Sequence, residues 1–382
     1  MKILYDYSVF EFQRYGGISR YFYELITRLS TEEKVNLSLF QGLNVNEYAL
    51  SEKKESFDSY YGHKWKYKKP ASRYMAILFK LPNRILFDNY MRTSCADVYH
   101  PTYYRANLGK YTKPAIVLTV HDMIHELYPD QFIDSRFVIR AKKKSISAAD
   151  LIICVSENTK RDLMKMYEVP EERIKVIYHG NALPKSNEYL KLADLKRNYS
   201  IEKPFLLYVG DRKTPYKNFH FLLEAYSEMF SERFDLVCFG GGKLTPNELK
   251  KIKNIKHSGK VIQLSGPDLL LASLYKNAFC FIYPSLYEGF GIPLLESMGQ
   301  GCPIIASNTS SIPEVAGNAA FLFDPTSKDS LISSIELLEK NVVTRQKLID
   351  NGFEREKEFS WEKTASETLK VYKAAYELKF GS

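Results

Sequence analysis

Short apolar runs alternate with longer amphipathic segments along most of the chain. The runs predict buried β-strands, and apolar residues at helical spacing between them predict covering helices. In the first half the predicted strands are residues 3–7, 35–40, 98–100, 115–119, 151–155 and 175–178. Such alternation is typical of a parallel sheet with helices on both faces.

A polar stretch from about 181 to 202 interrupts this pattern, which then begins again. Predicted strands follow at 205–209, 236–239, 261–264, 279–283 and 303–306, and predicted helices at 219–230, 270–277 and 293–299. The 382 residues suit two domains of ordinary size. We therefore predict an α/β protein with two doubly wound domains, 1–185 and 200–361, and a C-terminal helix, about 362–382, that packs back on the first domain.

The formal net charge of +9 is concentrated in the first half, where residues 1–185 hold 29 Lys and Arg against 21 Asp and Glu. Basic and aromatic side chains interleave from His63 to Arg92, and a second basic run extends from Arg136 to Lys144. Such segments suit an anionic bilayer surface, although a solvated charged face is the alternative. Because no nucleic-acid-binding motif accompanies the charge, we expect no nucleic-acid partner.

The chain carries no pattern of secretion or membrane insertion. Asp6 interrupts the first apolar run, which therefore does not resemble a signal peptide, and no stretch reaches the roughly 20 apolar residues of a membrane span. The five cysteines form no C-x-x-C pair and predict buried thiols. We expect a cytoplasmic protein that is peripheral at the inner membrane.

The most informative motif follows the predicted strand 279–283. It contains two glutamates eight positions apart, two glycines and a proline at a predicted helix start: Glu288, Gly289, Phe290, Gly291, Ile292, Pro293 and Glu296. Free amides at a helix start bind phosphate, and a nearby carboxylate suits ribose or sugar hydroxyls. The simpler interpretation is an ordinary strand–turn–helix unit with a capping glutamate.

Three further positions follow predicted strands, where α/β proteins bind ligands. Arg212 and Lys217 could stabilise the negative charge of a departing diphosphate, although such cations are also common in solvated loops. Gly16 and Gly17 follow the first strand without completing a dinucleotide-binding fingerprint. His121 ends the strand 115–120, where a structural histidine is the alternative.

Together these residues resemble the Glu-x7-Glu retaining glycosyltransferases of family GT4. The resemblance extends over nearly the whole chain and implies a GT-B fold, in which two Rossmann-like domains face each other across a cleft. It implies that Glu296 binds the donor ribose, while Glu288 and the amides of residues 289–292 contact the donor sugar and phosphate. It also implies that His121 contacts the donor sugar, and that the anomeric configuration is retained.

The start of the chain, residues 12–21, is similar to bacterial surface-polysaccharide mannosyltransferases. This favours GDP-mannose as donor and a lipid-linked glycan as acceptor, with UDP-sugars left open. No Asp-x-Asp metal motif is present, so we expect a metal-independent reaction without a cofactor.

Three other classes are alternatives to a transferase. A nucleotide-sugar epimerase of the same fold would release free sugar or an epimer from the donor alone. A non-catalytic nucleotide-sugar-binding protein is disfavoured by the intact set of candidate residues, and a dehydrogenase by the missing dinucleotide fingerprint.

Overall fold

The computed structural model describes residues 1–64, 73–186, 188–255 and 257–381. Part of the predicted membrane-docking segment, residues 65–72, therefore lies outside the described residues. The chain forms two compact units. Unit 1 comprises Met1–His179 with Trp361–Ser382, and unit 2 comprises Gly180–Ser360.

Within its described residues, unit 1 builds a seven-stranded parallel sheet in the order β3-β2-β1-β4-β5-β6-β7. The strands are β1 (Lys2–Tyr5), β2 (Asn36–Asn44), β3 (Ser59–Lys64), β4 (Val98–His100), β5 (Ala115–Val120), β6 (Leu151–Cys154) and β7 (Ile174–Val176). The helices are α1 (Gly17–Leu29), α2 (Arg73–Thr93), α3 (Ile124–Leu127), α4 (Ser135–Ala148) and α5 (Glu157–Tyr167).

Unit 2 builds a six-stranded parallel sheet from its described residues, in the order β10-β9-β8-β11-β12-β13. The strands are β8 (Phe205–Val209), β9 (Asp235–Phe239), β10 (Val261–Leu264), β11 (Cys280–Tyr283), β12 (Ile304–Ser307) and β13 (Ala320–Phe323). The helices are α6 (Leu192–Tyr199), α7 (Phe219–Ala225), α8 (Pro246–Lys253), α9 (Asp268–Asn277), α10 (Ile292–Gly299), α11 (Ile312–Ala316), α12 (Lys328–Lys340) and α13 (Val342–Glu356).

The last helix, α14 (Trp361–Phe380), returns to unit 1. Its Trp361 and Tyr372 are fully buried there, and the Tyr372 hydroxyl lies 2.6 Å from both the Tyr5 hydroxyl and His100 Nδ1. These bonds attach α14 to β1 and β4, which are neighbouring strands in the sheet order.

The central strands are buried because their residues are almost continuously apolar, as a parallel sheet covered on both faces requires. All six residues of β5 and all four of β11 are buried. In each sheet the strand order reverses at one point, between β1 and β4 in unit 1 and between β8 and β11 in unit 2. Loops at the carboxyl ends of strands beside such a reversal form the usual ligand site of this architecture.

The predicted fold class, two doubly wound α/β units, is confirmed. The sequence pattern missed the strands β3 and β13, which lie at sheet edges and are only partly buried. No helix among the described residues combines the length and apolar character that crossing a bilayer requires.

Candidate active site

The loops after β8 and β11 carry the charged residues of the predicted site in unit 2. After β8 the chain passes through Gly210 and a short 3-10 turn, Pro215–Lys217, before α7 begins. After β11 it forms the loop that contains Glu288 and leads into α10. Because β8 and β11 are neighbours at the strand-order reversal, their following loops lie side by side.

The structure brings Lys217 and Glu288 into direct contact. Lys217 Nζ lies 2.7 Å from one carboxylate oxygen of Glu288 and 2.8 Å from the other. The two side chains are 20% and 10% exposed, so the pair is accessible from solvent without being fully hydrated. A cation and a carboxylate in this position can bind a phosphate oxygen and a sugar hydroxyl side by side.

Two serines after β12 fix the backbone of the Glu288 loop. The Glu288 amide donates to Ser310 Oγ at 2.9 Å. Ser311 Oγ contacts the carbonyl oxygens of Glu288 and Phe290 at 3.0 and 2.9 Å. Glu288 is therefore held by its backbone on one side and by Lys217 on the other.

The start of α10 has the geometry of an anion-binding helix end. Gly291 adopts a left-handed conformation, with φ of +107°, which glycine tolerates at little cost. No side chain of the described residues caps this helix, and the proline at position 293 has no amide hydrogen to satisfy. One turn into α10, Glu296 accepts a hydrogen bond from the Tyr275 hydroxyl at 3.2 Å.

Arg212 lies in a different environment from Lys217, although sequence analysis gave both the same role. Its side chain is fully buried, and Nε donates to Glu248 at 3.0 Å. The two remaining guanidinium nitrogens donate to the carbonyl oxygens of Gly240 and Gly242 at 2.6 and 2.7 Å. The guanidinium thus holds the glycine-rich turn after β9, and its donors face protein acceptors rather than solvent.

The glycine-rich turn requires glycine where Arg212 packs against it. A Cβ atom on Gly241 would lie 2.8 Å from Arg212 Nη1 and 2.9 Å from the carbonyl oxygen of Gly210. Burial alone would raise the pKa of Glu248, but hydrogen bonds from Thr245 and the Arg212 charge outweigh it and lower the pKa. Arg212 therefore holds the turn, and of the two predicted cations Lys217 is the one that remains partly exposed.

In unit 1, Gly16 and Gly17 form the start of α1. The Gln13 side chain lies against Gly16 and accepts a hydrogen bond from the Ser19 amide at 3.0 Å. A Cβ atom on Gly17 would meet nothing within 4 Å, so the backbone here is open to the approach of a ligand.

His121 follows β5 in an aromatic environment. Its ring lies 5.2 Å from that of Tyr21 and 6.0 Å from that of Phe22. Burial, reinforced by His100 and by the positive charge of Lys142, lowers the pKa of His121 to about 3. The imidazole is therefore neutral at physiological pH, and it can orient hydroxyl groups without supplying a charge.

Lys142 belongs to the basic run 136–144, for which the sequence predicts a membrane-facing surface, but its side chain is fully buried. Its ammonium group donates to the Asp122 carbonyl oxygen at 2.9 Å and to Glu126 at 2.7 Å. These bonds hold the segment after β5 that bears His121. The signal in the sequence was weak, because Lys142 stands within the basic run 136–144 and resembles its solvated neighbours.

Within the described residues, no group of three or more His, Cys, Asp or Glu side chains is arranged to hold a metal ion. Two other histidines of unit 1, His125 and His179, are weaker sequence candidates for contacting a sugar. The His125 ring lies 4.6 Å from that of Phe132, and the His179 ring stacks on Trp361 at 5.4 Å, so both rings take part in packing.

Comparison with known proteins identifies the family of the chain. Residues 15–181 match the family described as "Glycosyltransferase Family 4", and residues 193–355 match "Glycosyl transferases group 1". O-antigen chain mannosyltransferase B of Escherichia coli is 28% identical over 387 aligned residues, which cover 94% of this chain and 96% of that protein. O-antigen chain mannosyltransferase RfbU of Salmonella typhimurium is 31% identical over 225 residues, or 58% of this chain and 60% of that one.

The fold is also similar to that of solved glycosyltransferase structures. Alr3699/HepE from Anabaena, in complex with UDP-glucose, superposes with a TM-score of 0.74 over 98% of this chain and 100% of that chain, at 17% identity. The chain therefore belongs to the family 4 glycosyltransferases, with the group 1 match inside unit 2, and it is a glycosyltransferase.

Proposed function

We propose that this glycosyltransferase moves a hexose, with mannose from GDP-mannose favoured, onto a lipid-linked glycan in O-antigen or capsule-type polysaccharide synthesis. The names of the aligned relatives, both O-antigen chain mannosyltransferases, support mannose and this class of product. The contact between Lys217 and Glu288 beside the strand-order reversal of unit 2 carries the mechanistic part of the proposal.

Lys217 and the start of α10 bind the diphosphate of the donor in this proposal. As the bond between the anomeric carbon and the diphosphate oxygen breaks, the electron pair passes to the diphosphate. A fixed ammonium group in a partly dehydrated site stabilises this developing charge more than water does. Arg212 contributes by holding the turn at residues 240–242.

The glutamates bind hydroxyl groups. Glu296 hydrogen-bonds the ribose of the nucleotide, and the Tyr275 hydroxyl fixes the orientation of its carboxylate. Glu288 binds the transferred sugar, and the contact with Lys217 holds its carboxylate in place. Gly16 and Gly17 let the backbone of unit 1 approach the donor, and the neutral imidazole of His121 contacts a sugar hydroxyl.

The proposed reaction retains the anomeric configuration by a front-face route. The acceptor hydroxyl oxygen bonds to the anomeric carbon on the face from which the diphosphate departs. Its proton passes to the departing diphosphate oxygen, so that no protein nucleophile is needed. We propose that the reaction is metal-independent, and turnover abolished by EDTA would contradict this.

Peripheral docking on an anionic membrane presents the lipid-linked acceptor in this account. Within the described residues, α4 exposes Arg136, Arg140, Lys143 and Lys144 on one side, as an interfacial helix would. The basic segment 63–92 contributes the described residues Arg84 and Arg92, both exposed.

A donor panel tests the proposed function. GDP-mannose, UDP-glucose and dTDP-glucose are added separately to the full chain, and the melting temperature and nucleotide release are measured. We expect GDP-mannose to stabilise the protein by about 2.7 kcal/mol at 100 times its dissociation constant. Stabilisation by UDP-glucose alone would change the donor, and stabilisation by none of the three would contradict the proposal.

A further inference from the structure

A basic cavity of about 710 Å³ opens beside α4 in unit 1, and its lining includes neither Gly16, Gly17 nor His121. Its lining includes four cations and two residues with an aliphatic hydroxyl group: Arg140, Lys143, Lys144, Lys379, Thr112 and Ser147. Ile116, near the start of β5, also lines it, whereas His121 follows the end of that strand. The two positions are five steps apart along the chain, with the strand residues 117–120 between them, a distance of about 16 Å.

The cations of this cavity have little compensating negative charge. Arg140, Lys143 and Lys144 are exposed, and none of the three forms an ion pair with a described residue. Lys379 is held in place by the Pro114 carbonyl oxygen at 2.7 Å and by Asp150 at 3.3 Å. The cavity therefore attracts an anion that the described residues do not supply.

Exposed apolar side chains accompany the basic cavity. One turn before Arg140, Phe137 is 69% exposed, and Ile133 just ahead of α4 is fully exposed. On α14, Leu378 and Phe380 stand on either side of Lys379 and are 67% and 50% exposed. A site for a soluble anion gains nothing from such residues, whereas cations combined with exposed apolar groups are typical of membrane-surface binding.

We propose that this cavity is a head-group site for an anionic phospholipid. Arg140, Lys143 and Lys144 bind the phosphate, and the exposed apolar residues of α4 and α14 enter the boundary of the acyl chains. The inference rests on the proposed function in one respect, the placement of the enzyme at an anionic membrane. It goes further by naming the cavity, by adding the C-terminal helix to the docking surface and by separating the lipid contact from His121.

Vesicle sedimentation of the full chain tests this site. Two kinds of vesicle are prepared, one of phosphatidylcholine alone and one that also contains about 30% phosphatidylglycerol as the anionic lipid. Binding to each kind is measured for the wild type and for the triple variant Arg140→Gln, Lys143→Gln, Lys144→Gln. We expect the variant to bind the anionic vesicles roughly 100-fold more weakly, since each cation near the surface contributes about a five-fold effect. The matched control Lys250→Gln, Lys253→Gln, Lys347→Gln removes the same charge from exposed positions of unit 2 and should bind like the wild type.

Equal vesicle binding by the wild type and the cavity variant would overturn the proposal, as would equal losses in the cavity variant and the control. Inorganic phosphate and glycerol phosphate are tested separately by thermal shift. Stabilisation of the wild type by these soluble anions, without a preference for anionic vesicles, would make the cavity a soluble-phosphate site and overturn the lipid assignment.

Further measurements distinguish a failure of this proposal from misfolding of the variant and from a failure of the proposed function. Circular dichroism melting of the triple variant shows whether it folds, and the single variant Phe137→Ser tests the apolar contact without changing charge. Mannose transfer from GDP-mannose to a soluble mannoside, without vesicles, should be unchanged in the triple variant. If the wild type transfers no sugar in that assay, the proposed function fails, while the vesicle comparison still decides the head-group site.

Discussion

The two units carry buried ion pairs of the same kind but differ in what lies beside them. Unit 1 has Asp6 with Arg105 at 2.8 Å, and unit 2 has Arg212 with Glu248 at 3.0 Å, both almost fully enclosed. Unit 2 adds the partly exposed pair of Lys217 and Glu288.

The buried histidines of unit 1 are neutral, in contrast to the accessible charges of Lys217 and Glu288 in unit 2. Burial lowers the pKa of His100 to about 3, and burial with His100 and Lys142 lowers that of His121 to about 3. Among the predicted site residues, the accessible charged pair therefore lies in unit 2, where it suits a diphosphate. The predicted site residues of unit 1, Gly16, Gly17 and His121, are uncharged, which suits contact with a sugar.

Breaking an enclosed ion pair should produce the largest effect. Arg212→Ala leaves the Glu248 carboxylate buried without its cation, so we expect unit 2 to lose about 3–5 kcal/mol of unfolding free energy. Urea denaturation followed by circular dichroism measures this. Arg105→Ala should cost unit 1 a similar amount, and a stability unchanged by either substitution would contradict the structural role of these pairs.

Removing the accessible cation should affect turnover rather than folding. Lys217→Ala takes away the ammonium group proposed to stabilise the departing diphosphate, and we expect kcat to fall by about 10²–10³-fold. Steady-state release of GDP from GDP-mannose in the presence of acceptor measures the change. Lys213→Ala is the matched control, because Lys213 is exposed in the same loop. Equal loss in both variants would remove the special role of Lys217.

Lowering the pH should destabilise unit 1 through its two buried imidazoles. Because the folded state lowers the pKa of His100 and His121 from about 6.5 to about 3, their neutral forms stabilise unit 1 above about pH 6.5. This stabilisation is lost as pH falls towards 3, and at pH 5 the loss is about 2 kcal/mol per imidazole.

Tryptophan fluorescence during urea unfolding at pH 7 and pH 5 measures this effect in unit 1, since residues 180–360 contain no tryptophan. His100→Gln should show a smaller difference between the two pH values. Identical unfolding curves of the wild type at both pH values would show that the imidazoles titrate normally.

The smallest expected effect concerns the ribose contact. Glu296→Gln keeps the shape of the side chain and removes its charge, so we expect the KM for the donor to rise about ten-fold with little change in kcat. Asp329→Asn is a control of equal charge at an exposed position of unit 2. A fall in kcat at unchanged KM would instead place Glu296 at the reacting bond.

The apolar pattern predicted most of the sheet because the central strands are buried on both faces. The bounds predicted for β8 and β10 agree with the structure. The edge strand β3, SYYGHK, escaped prediction because its residues are polar or partly exposed and do not form an apolar run. The residues 192–199, predicted as part of a polar linker, instead form α6, whose burial centres on a single leucine.

The sequence predicted which residues form the candidate site, but it predicted only part of the contacts between them. Lys217 and Glu288 each stood out beside a strand end, but their contact depends on β8 and β11 being neighbours, which local spacing does not reveal. The supports from Ser310 and Ser311 depend likewise on the pairing of β11 with β12. The sequence did not distinguish Arg212 from Lys217. The burial of Arg212 depends on its contact with Glu248, which lies 36 residues away in the chain.

Amide hydrogen exchange of the wild-type chain, with and without GDP-mannose, tests the central claim most directly, because it locates the donor without any substitution. We expect slower exchange in residues 210–218 and 288–296 of unit 2 when the donor is bound. Donor binding that leaves exchange in both segments unchanged and slows it elsewhere would contradict the assignment of the diphosphate to Lys217 and the start of α10.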